Sequence, residues 1–216
     1  MLKTPEIVID HTEASAEAAL STADAFIRDL GLSGKDAIHL RLLAEETIGM
    51  VRAMAGDFSA LFWLEGDRGG YRIRLSADTR MNLKKKEDLL SVSKSGRNAA
   101  VRGFMGRIGE IIEDSLMNFD DVMTEQNKYA GGGRPYAEYG FVTPGAVLNP
   151  LTEPAPFWSL ETYKEALENA PGKEGGKTEA WDELEKSIVA SLADNVIVGI
   201  RKNSVDMTII KRQLVH

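Results

Sequence analysis

The chain has 216 residues, of which 43% are hydrophobic and 27% charged, a composition that indicates a folded globular protein rather than a disordered one. Its formal net charge of −7 argues against general nucleic-acid binding, its lack of cysteine excludes a thiolate metal site or nucleophile, and its three histidines are too few to favour a histidine-based metal centre. No apolar run approaches the roughly 20 residues of a membrane-spanning helix and no secretory signal is evident, so we expect a cytoplasmic protein without a membrane partner.

The first part of the chain alternates strands with helices. Residues 6–12 predict a short strand, and residues 15–31 predict a helix because apolar side chains recur there at helical spacing. Residues 33–56 predict a second helix, which Ser33 can cap. The inward-facing stripe predicted for this helix comprises Ile38, Leu42, Leu43, Thr47, Met50, Val51 and Met54. Two strands around the glycines at 66–70 then predict a β-hairpin.

The last part repeats this pattern, with a helix predicted over 179–193 and a hairpin over 194–212. Between the two parts, residues 96–116 predict a helix, and residues 129–158 are too rich in glycine and proline for one regular element. A loop of that length indicates a functional lid or binding loop. The order of elements favours a single α/β domain, residues 1–216, in which helices cover one face of a mixed, mostly antiparallel sheet in a two-layer sandwich.

Charge is distributed unevenly along the middle of the chain. Residues 80–107 contain eight basic and two acidic residues, whereas residues 108–175 contain four basic and twelve acidic residues. The start of the predicted helix in the basic segment can bind an anion, because free backbone N–H groups and cations occur together there. The candidate anion-binding residues are Lys94, Ser95, Gly96 and Arg97. The alternative is a capped helix whose cations pair with the acidic segment.

Three local motifs accompany this order of elements. The second predicted helix carries Glu45 followed four residues later by Gly49, Asp78 ends the second strand of the first hairpin, and a glycine pair precedes the last helix, at Gly175 and Gly176. With these motifs the chain resembles the ATP-binding domain shared by anti-sigma-factor serine kinases, sensor histidine kinases and type II topoisomerases, the histidine-kinase-like (GHKL) ATPases. It most resembles the small anti-sigma-factor kinases.

The resemblance covers residues 1–79 and 179–212, and it makes residues 80–178 a large insertion at the position of the nucleotide lid. In that family the helix glutamate positions or activates water, or a hydroxyl, near the γ-phosphate, so the resemblance implies that Glu45 is the catalytic residue. The residue four positions later is an asparagine that holds Mg²⁺, and here it is Gly49. ATP is therefore the implied cofactor, without a well-formed Mg²⁺ site.

The remaining motifs have implied roles in nucleotide binding. The family's aspartate reads the adenine amino group, which implies that role for Asp78, and its glycine-rich hinge corresponds to Gly175 and Gly176. For two of these residues a purely structural interpretation stays open. Glu45 can be a rim carboxylate paired with Arg41 or Arg52, and Asp78 can be a strand-end aspartate that starts a turn.

Two functional hypotheses follow. The first is an ATP-binding regulatory protein, related to anti-sigma-factor serine kinases, that has a protein partner. With glycine in place of the metal ligand, we expect it to bind nucleotide weakly and independently of Mg²⁺ and to hydrolyse little of it. The second is a non-enzymatic module on a degenerate ATPase fold that binds a protein through the insertion. A homodimer is compatible with both. Neither a P-loop nor a Rossmann glycine motif occurs in the sequence.

Overall fold

The computed structural model describes residues 1–54, 58–67, 69–78, 103–117, 155–169, 181–201 and 204–212. They form an α/β fold with a seven-stranded sheet, and every strand pairing among them is antiparallel. A short helical segment at 181–186 precedes the last helix. The elements in chain order are β1 (Leu2–Lys3), β2 (Ile7–Ile9), α1 (Glu13–Leu30), α2 (Gly34–Ala53), β3 (Ala60–Asp67), β4 (Gly70–Asp78), α3 (Phe104–Met117), β5 (Ala155–Ser159), α4 (Leu160–Asn169), α5 (Ile188–Leu192), β6 (Asn195–Arg201) and β7 (Ser204–Arg212).

Two hairpins form the centre of the sheet. The strand order is β1-β3-β4-β7-β6-β5, and β2 also pairs with β3. The β3–β4 and β6–β7 hairpins, both predicted from the sequence, join through β4 and β7. In that central pair Gly70 lies opposite Arg212 at one end and Asp78 lies opposite Ser204 at the other. The coarse fold prediction, an α/β protein with a mostly antiparallel sheet, is thus confirmed.

One face of the sheet packs against the helices. Alternate side chains of a strand point to opposite faces, and on β4 the set that joins the hydrophobic core is Tyr71, Ile73, Leu75 and Ala77. Helices α1 and α2 contribute Phe26, Leu40, Leu43 and Val51 to the same core. Trp63 of β3 is also buried but does not belong to this core, because it lies on the opposite face, between Lys3 and Arg74.

Part of the 80–178 insertion extends the core. Helix α3 and the β5–α4 unit contribute an aromatic cluster in which the Trp158 ring lies 5.7 Å from Phe104 and 5.8 Å from Tyr163, measured between centroids. The Tyr163 hydroxyl accepts a hydrogen bond of 3.0 Å from the Arg107 guanidinium. Strand β5 pairs with β6 and so lies at one edge of the sheet. These segments of the insertion are therefore structural parts of the domain.

The predicted helices differ from the observed ones in detail. The prediction that Ile38 faces the core is wrong, since its side chain is 58% exposed, whereas Leu40, Ala44 and Ile48 are buried instead. Ser33 occupies the N-cap position of α2 but its side chain makes no capping hydrogen bond. Helix α3 is described from Phe104, so residues 96–102 of the predicted helix lie outside the described residues.

The start of α1 is held by a small hydrogen-bond network. Thr12 is the N-cap residue, and its hydroxyl accepts from the Ser15 amide at 3.3 Å. The Asp10 carboxylate accepts from the Thr12 hydroxyl at 2.5 Å, the Ser15 hydroxyl at 2.7 Å and the Thr12 amide at 2.8 Å. These hydrogen bonds, that of the Thr12 hydroxyl above all, lower the pKa of Asp10 to about 2.

Replacing Asp10 with alanine should lower the free energy of unfolding by about 1 kcal/mol at pH 7, since the network that fixes the helix cap is lost and the site is partly open to water. The pKa of Asp10 lies below its unfolded value of 3.8, so its contribution is present above about pH 4 and is lost as the pH falls through about 2. Urea unfolding should show that the difference in free energy of unfolding between wild type and variant becomes smaller as the pH falls from about 4 to about 2. The matched control is Glu17→Ala, which removes an exposed carboxylate from α1, the helix that Asp10 precedes. Equal effects of both variants at all pH values would contradict the assignment.

Candidate functional site

The candidate catalytic residue lies on the outer surface of the helical layer. Glu45 is exposed, and its Oε1 accepts a hydrogen bond of 2.8 Å from Nε of Arg41. The same guanidinium donates through Nη1 to Asp24 of α1 at 2.7 Å and to the Leu20 carbonyl oxygen at 3.3 Å. The pKa of Arg41 is raised, first by the hydrogen bond to Glu45. Of the two partners foreseen for Glu45, Arg41 is thus the one present. The bonds of Arg41 to Asp24 and Leu20 join α2 to α1.

Gly49 lies one turn further along the same outer surface. It is exposed, and a Cβ atom added there would meet no atom of another residue within 4 Å. A glycine offers no side-chain oxygen for Mg²⁺, and the carboxylate of Glu45 is held by a cation instead. In the described part of the chain, no group of three or more histidine, cysteine, aspartate or glutamate side chains is placed to bind a metal ion. Glu45 and Gly49 therefore do not fit the Mg²⁺–phosphate site of the family that the chain resembles.

The side of α2 that carries Met50 and Met54 packs against α3. A Cβ atom added to Gly109 of α3 would lie 3.5 Å from Cγ of Met50 and 3.7 Å from Cε of Met54, so the two helices approach closely there. Glu46 lies one turn before Met50 and is half-buried, so helical spacing places it on the side that faces α3. The sequence favoured Glu45 over Glu46 as the site residue. In the structure the two glutamates differ because α3, which belongs to the insertion, packs beside Glu46, whereas Glu45 is exposed.

Asp78 lies at the end of β4, as the sequence predicts, and is half-buried. It pairs with Ser204 of β7 in the strand register, and it is not without an interaction partner. The preceding residue, Ala77, is buried against the helices, so strand alternation turns Asp78 toward the opposite face of the sheet. Glu45 lies on the outer side of the helical layer. The structure therefore does not bring these two predicted site residues together.

The other predicted binding residues lie outside the described residues. They are Lys94, Ser95, Gly96 and Arg97 in the basic segment and Gly175 and Gly176 in the hinge. Their proposed contacts with phosphate and with the hinge stay predictions. The acidic 108–175 segment is described only in part, through α3, β5 and α4.

A shallow cleft of about 320 Å³ separates the first residues of the chain from α1. Its lining combines apolar residues, among them Leu2 and Phe26, with polar ones that include Thr22 and the exposed Asp29. The cleft includes none of the residues that the sequence predicted for the site. The cleft lies beside the edge strand β1, whereas Asp78 lies at the end of β4, one of the central strands of the sheet.

Comparison with protein-family models, with curated proteins and with solved structures gives no match to this chain. Within the described ranges, no helix has both the length and the apolarity needed to span a lipid bilayer.

Replacing Gly49 with alanine should raise the free energy of unfolding by about 1 kcal/mol, because alanine favours the helix interior and its methyl group meets open space. The matched control is Gly66→Ala, whose methyl group would lie 3.0 Å from the Gly70 carbonyl oxygen, Leu30 and Phe26. That variant should lose about 1–3 kcal/mol through overpacking. Thermal and urea unfolding at low protein concentration measure both. A loss of stability in Gly49→Ala would show that the outer face of α2 is not open in the monomer.

Proposed function

We propose that the protein is a non-enzymatic interaction module on a fold of the ATPase type. The observation that carries this proposal is the environment of α2. The carboxylate of Glu45 is bound by Arg41, the position that would hold the metal ligand is Gly49, and the side of the helix that faces α3 is filled by Met50 and Met54. The two positions of α2 that correspond to the family's phosphate site thus hold a carboxylate already paired with a cation and a residue without a side chain. This pair of residues favours binding over catalysis.

The packing of the insertion supports the same proposal. Phe104, Ile108 and Ile112 of α3 are buried, and Trp158 and Tyr163 join them in one core with the sheet. A lid that opens and closes over a nucleotide needs a surface that separates from the core at modest cost. Exposing a buried aromatic or large aliphatic side chain costs about 1.5–3 kcal/mol each. The described parts of the insertion are thus better suited to presenting a fixed surface than to moving.

The second candidate function is an ATP-binding regulator without efficient phosphate transfer. It is favoured by the order of elements, two hairpins preceded by helices, and by the half-buried aspartate at the end of β4. In this alternative Asp78 accepts a hydrogen bond from the adenine amino group. The basic segment with Lys94 and Arg97 then contacts the phosphates.

Nucleotide-dependent stabilisation separates the two functions. A nucleotide present at 100 times its dissociation constant adds about 2.7 kcal/mol to the free energy of unfolding. We expect no rise in melting temperature with ATP, ADP or GTP at millimolar concentration, with or without Mg²⁺, because the two positions of α2 that correspond to the family's phosphate site hold a carboxylate paired with Arg41 and a glycine. A thermal-shift assay measures this directly.

A rise in melting temperature with ATP but not with GTP would contradict the interaction-module proposal. The variant Asp78→Asn then identifies the pocket, since it keeps the shape but can place an NH₂ group against the adenine NH₂ group. Loss of the ATP effect in Asp78→Asn, with its intrinsic stability unchanged, would establish the second function. Mg²⁺-dependent hydrolysis abolished by Glu45→Gln would restore the enzymatic interpretation.

A further inference from the structure

We propose that the outer face of α2 is the interface of a homodimer, in which two α2 helices cross in antiparallel orientation at Gly49. This inference rests on the proposed function, since it names the partner of the interaction module as a second copy of the chain. The dimer face is defined here by Ile38, Leu42, Glu45, Gly49 and Arg52.

Gly49 is the first reason. A glycine in a helix interior costs about 1 kcal/mol relative to alanine, and here no neighbouring atom within the chain's described residues requires it. Gly70, by contrast, has a backbone φ of 139° and an added Cβ would overlap the backbone of Lys211, so its glycine is explained by the fold. A glycine on an exposed helix face lets a second backbone approach closely. The unexplained glycine thus indicates contact with another molecule.

The charges that flank Gly49 are the second reason. Glu45 precedes it by four residues and Arg52 follows it by three, which places them about 6 Å and 4.5 Å from Gly49 along the helix axis in opposite directions. At 3.6 residues per turn both lie on the same flank of the helix, about 40° and 60° from Gly49. Consider a two-fold axis that lies in the interface plane and runs perpendicular to α2 at Gly49. It leaves each side chain on the same flank of the helix pair but reverses the direction of the helix axis. It therefore brings Glu45 of each copy to Arg52 of the other, twice.

The side chains are free to make these contacts. Arg52 is exposed and has no hydrogen bond or ion pair with any residue that the structure describes. Glu45 is bound to Arg41 through Oε1 only, which leaves its Oε2 available and its orientation fixed. A carboxylate held in place by one cation loses less side-chain entropy on meeting a second.

Exposed apolar surface continues the same stripe. Ile38 is 58% exposed, and Leu42, one turn later, is half-buried. With Gly49 they add apolar surface to the outer face of α2, beside the charges of Glu45 and Arg52. A contact of this kind between two helices is smaller than a standard interface, so we expect a dissociation constant on the order of micromolar to submillimolar.

Complementary charge reversal tests the proposal. Glu45→Arg places two cations on the dimer face and Arg52→Glu places two anions there, so each variant alone should be monomeric, with its dissociation constant raised at least tenfold. In an equimolar mixture the heterodimer regains both ion pairs, Arg with Glu and Glu with Arg. Sedimentation velocity over a concentration series measures wild type, the two single variants, their mixture and a control variant. Glu185→Arg, an exposed charge reversal outside the dimer face, should dimerise like wild type.

The mixture distinguishes an interface from a folding defect. Glu45→Arg also loses its bond to Arg41, but a partly unfolded protein is not rescued by adding a second variant. Recovery of dimer in the mixture therefore supports the proposal. A wild type that is monomeric throughout the series, single variants that dimerise like wild type, or a mixture that stays monomeric would each overturn it. None of these outcomes depends on nucleotide, so the dimer can fail while the interaction-module proposal stands, and an ATP effect in the thermal-shift assay would contradict that proposal alone.

Discussion

The close packing of α3 against the second half of α2 constrains the rest of this domain. Gly109 lets α3 approach Met50 and Met54, and the aromatic cluster around Trp158 ties the following β5–α4 unit to the same core. Because α2 is packed against the sheet below and α3 beside it, its outer face is the part of the helix left to meet another molecule. The functional question thus becomes a question about one helix face.

On that face the polar groups are arranged for recognition. Arg41 connects α2 to α1 through Asp24 and the Leu20 carbonyl oxygen, and within α2 it also binds Glu45. Each of these ion pairs is partly exposed, with side-chain exposures of 32% for Arg41 and 44% for Glu45, so they add little stability. Their value lies in holding Glu45 in one position. A carboxylate that one cation holds in position is suited to binding a second cation.

The sequence predicted the regular parts of the fold because their signals are local. The hairpins at β3–β4 and β6–β7 follow from alternating apolar residues around turns. Helix α1 follows from helical spacing that ends at Gly31, and α2 follows from helical spacing that begins after Ser33. The phase of α2 was harder. It is buried on a wide arc that includes Leu40 and Ile48, so the apolar pattern alone did not exclude Ile38 from the core.

Non-local features could not be predicted in the same way. Strand β5 begins at Ala155 with Pro156 as its second residue, in a stretch dense in glycine and proline, and it is a strand because β6 offers it an edge. Likewise, the resemblance identified Glu45 and Asp78 as residue types at suitable positions in the chain. It carried no information about the direction in which each side chain points, which depends on the packing of α3 and on strand alternation.

An amide-resolved NMR dilution series tests the central claim most directly, because it reports each position of α2 separately. The account predicts concentration-dependent shifts confined to the outer face of this helix, centred on Gly49 and including Glu45 and Arg52, with no change at Asp78 when millimolar ATP is added. Shifts at Asp78 with ATP, together with no effect of dilution along α2, would contradict it.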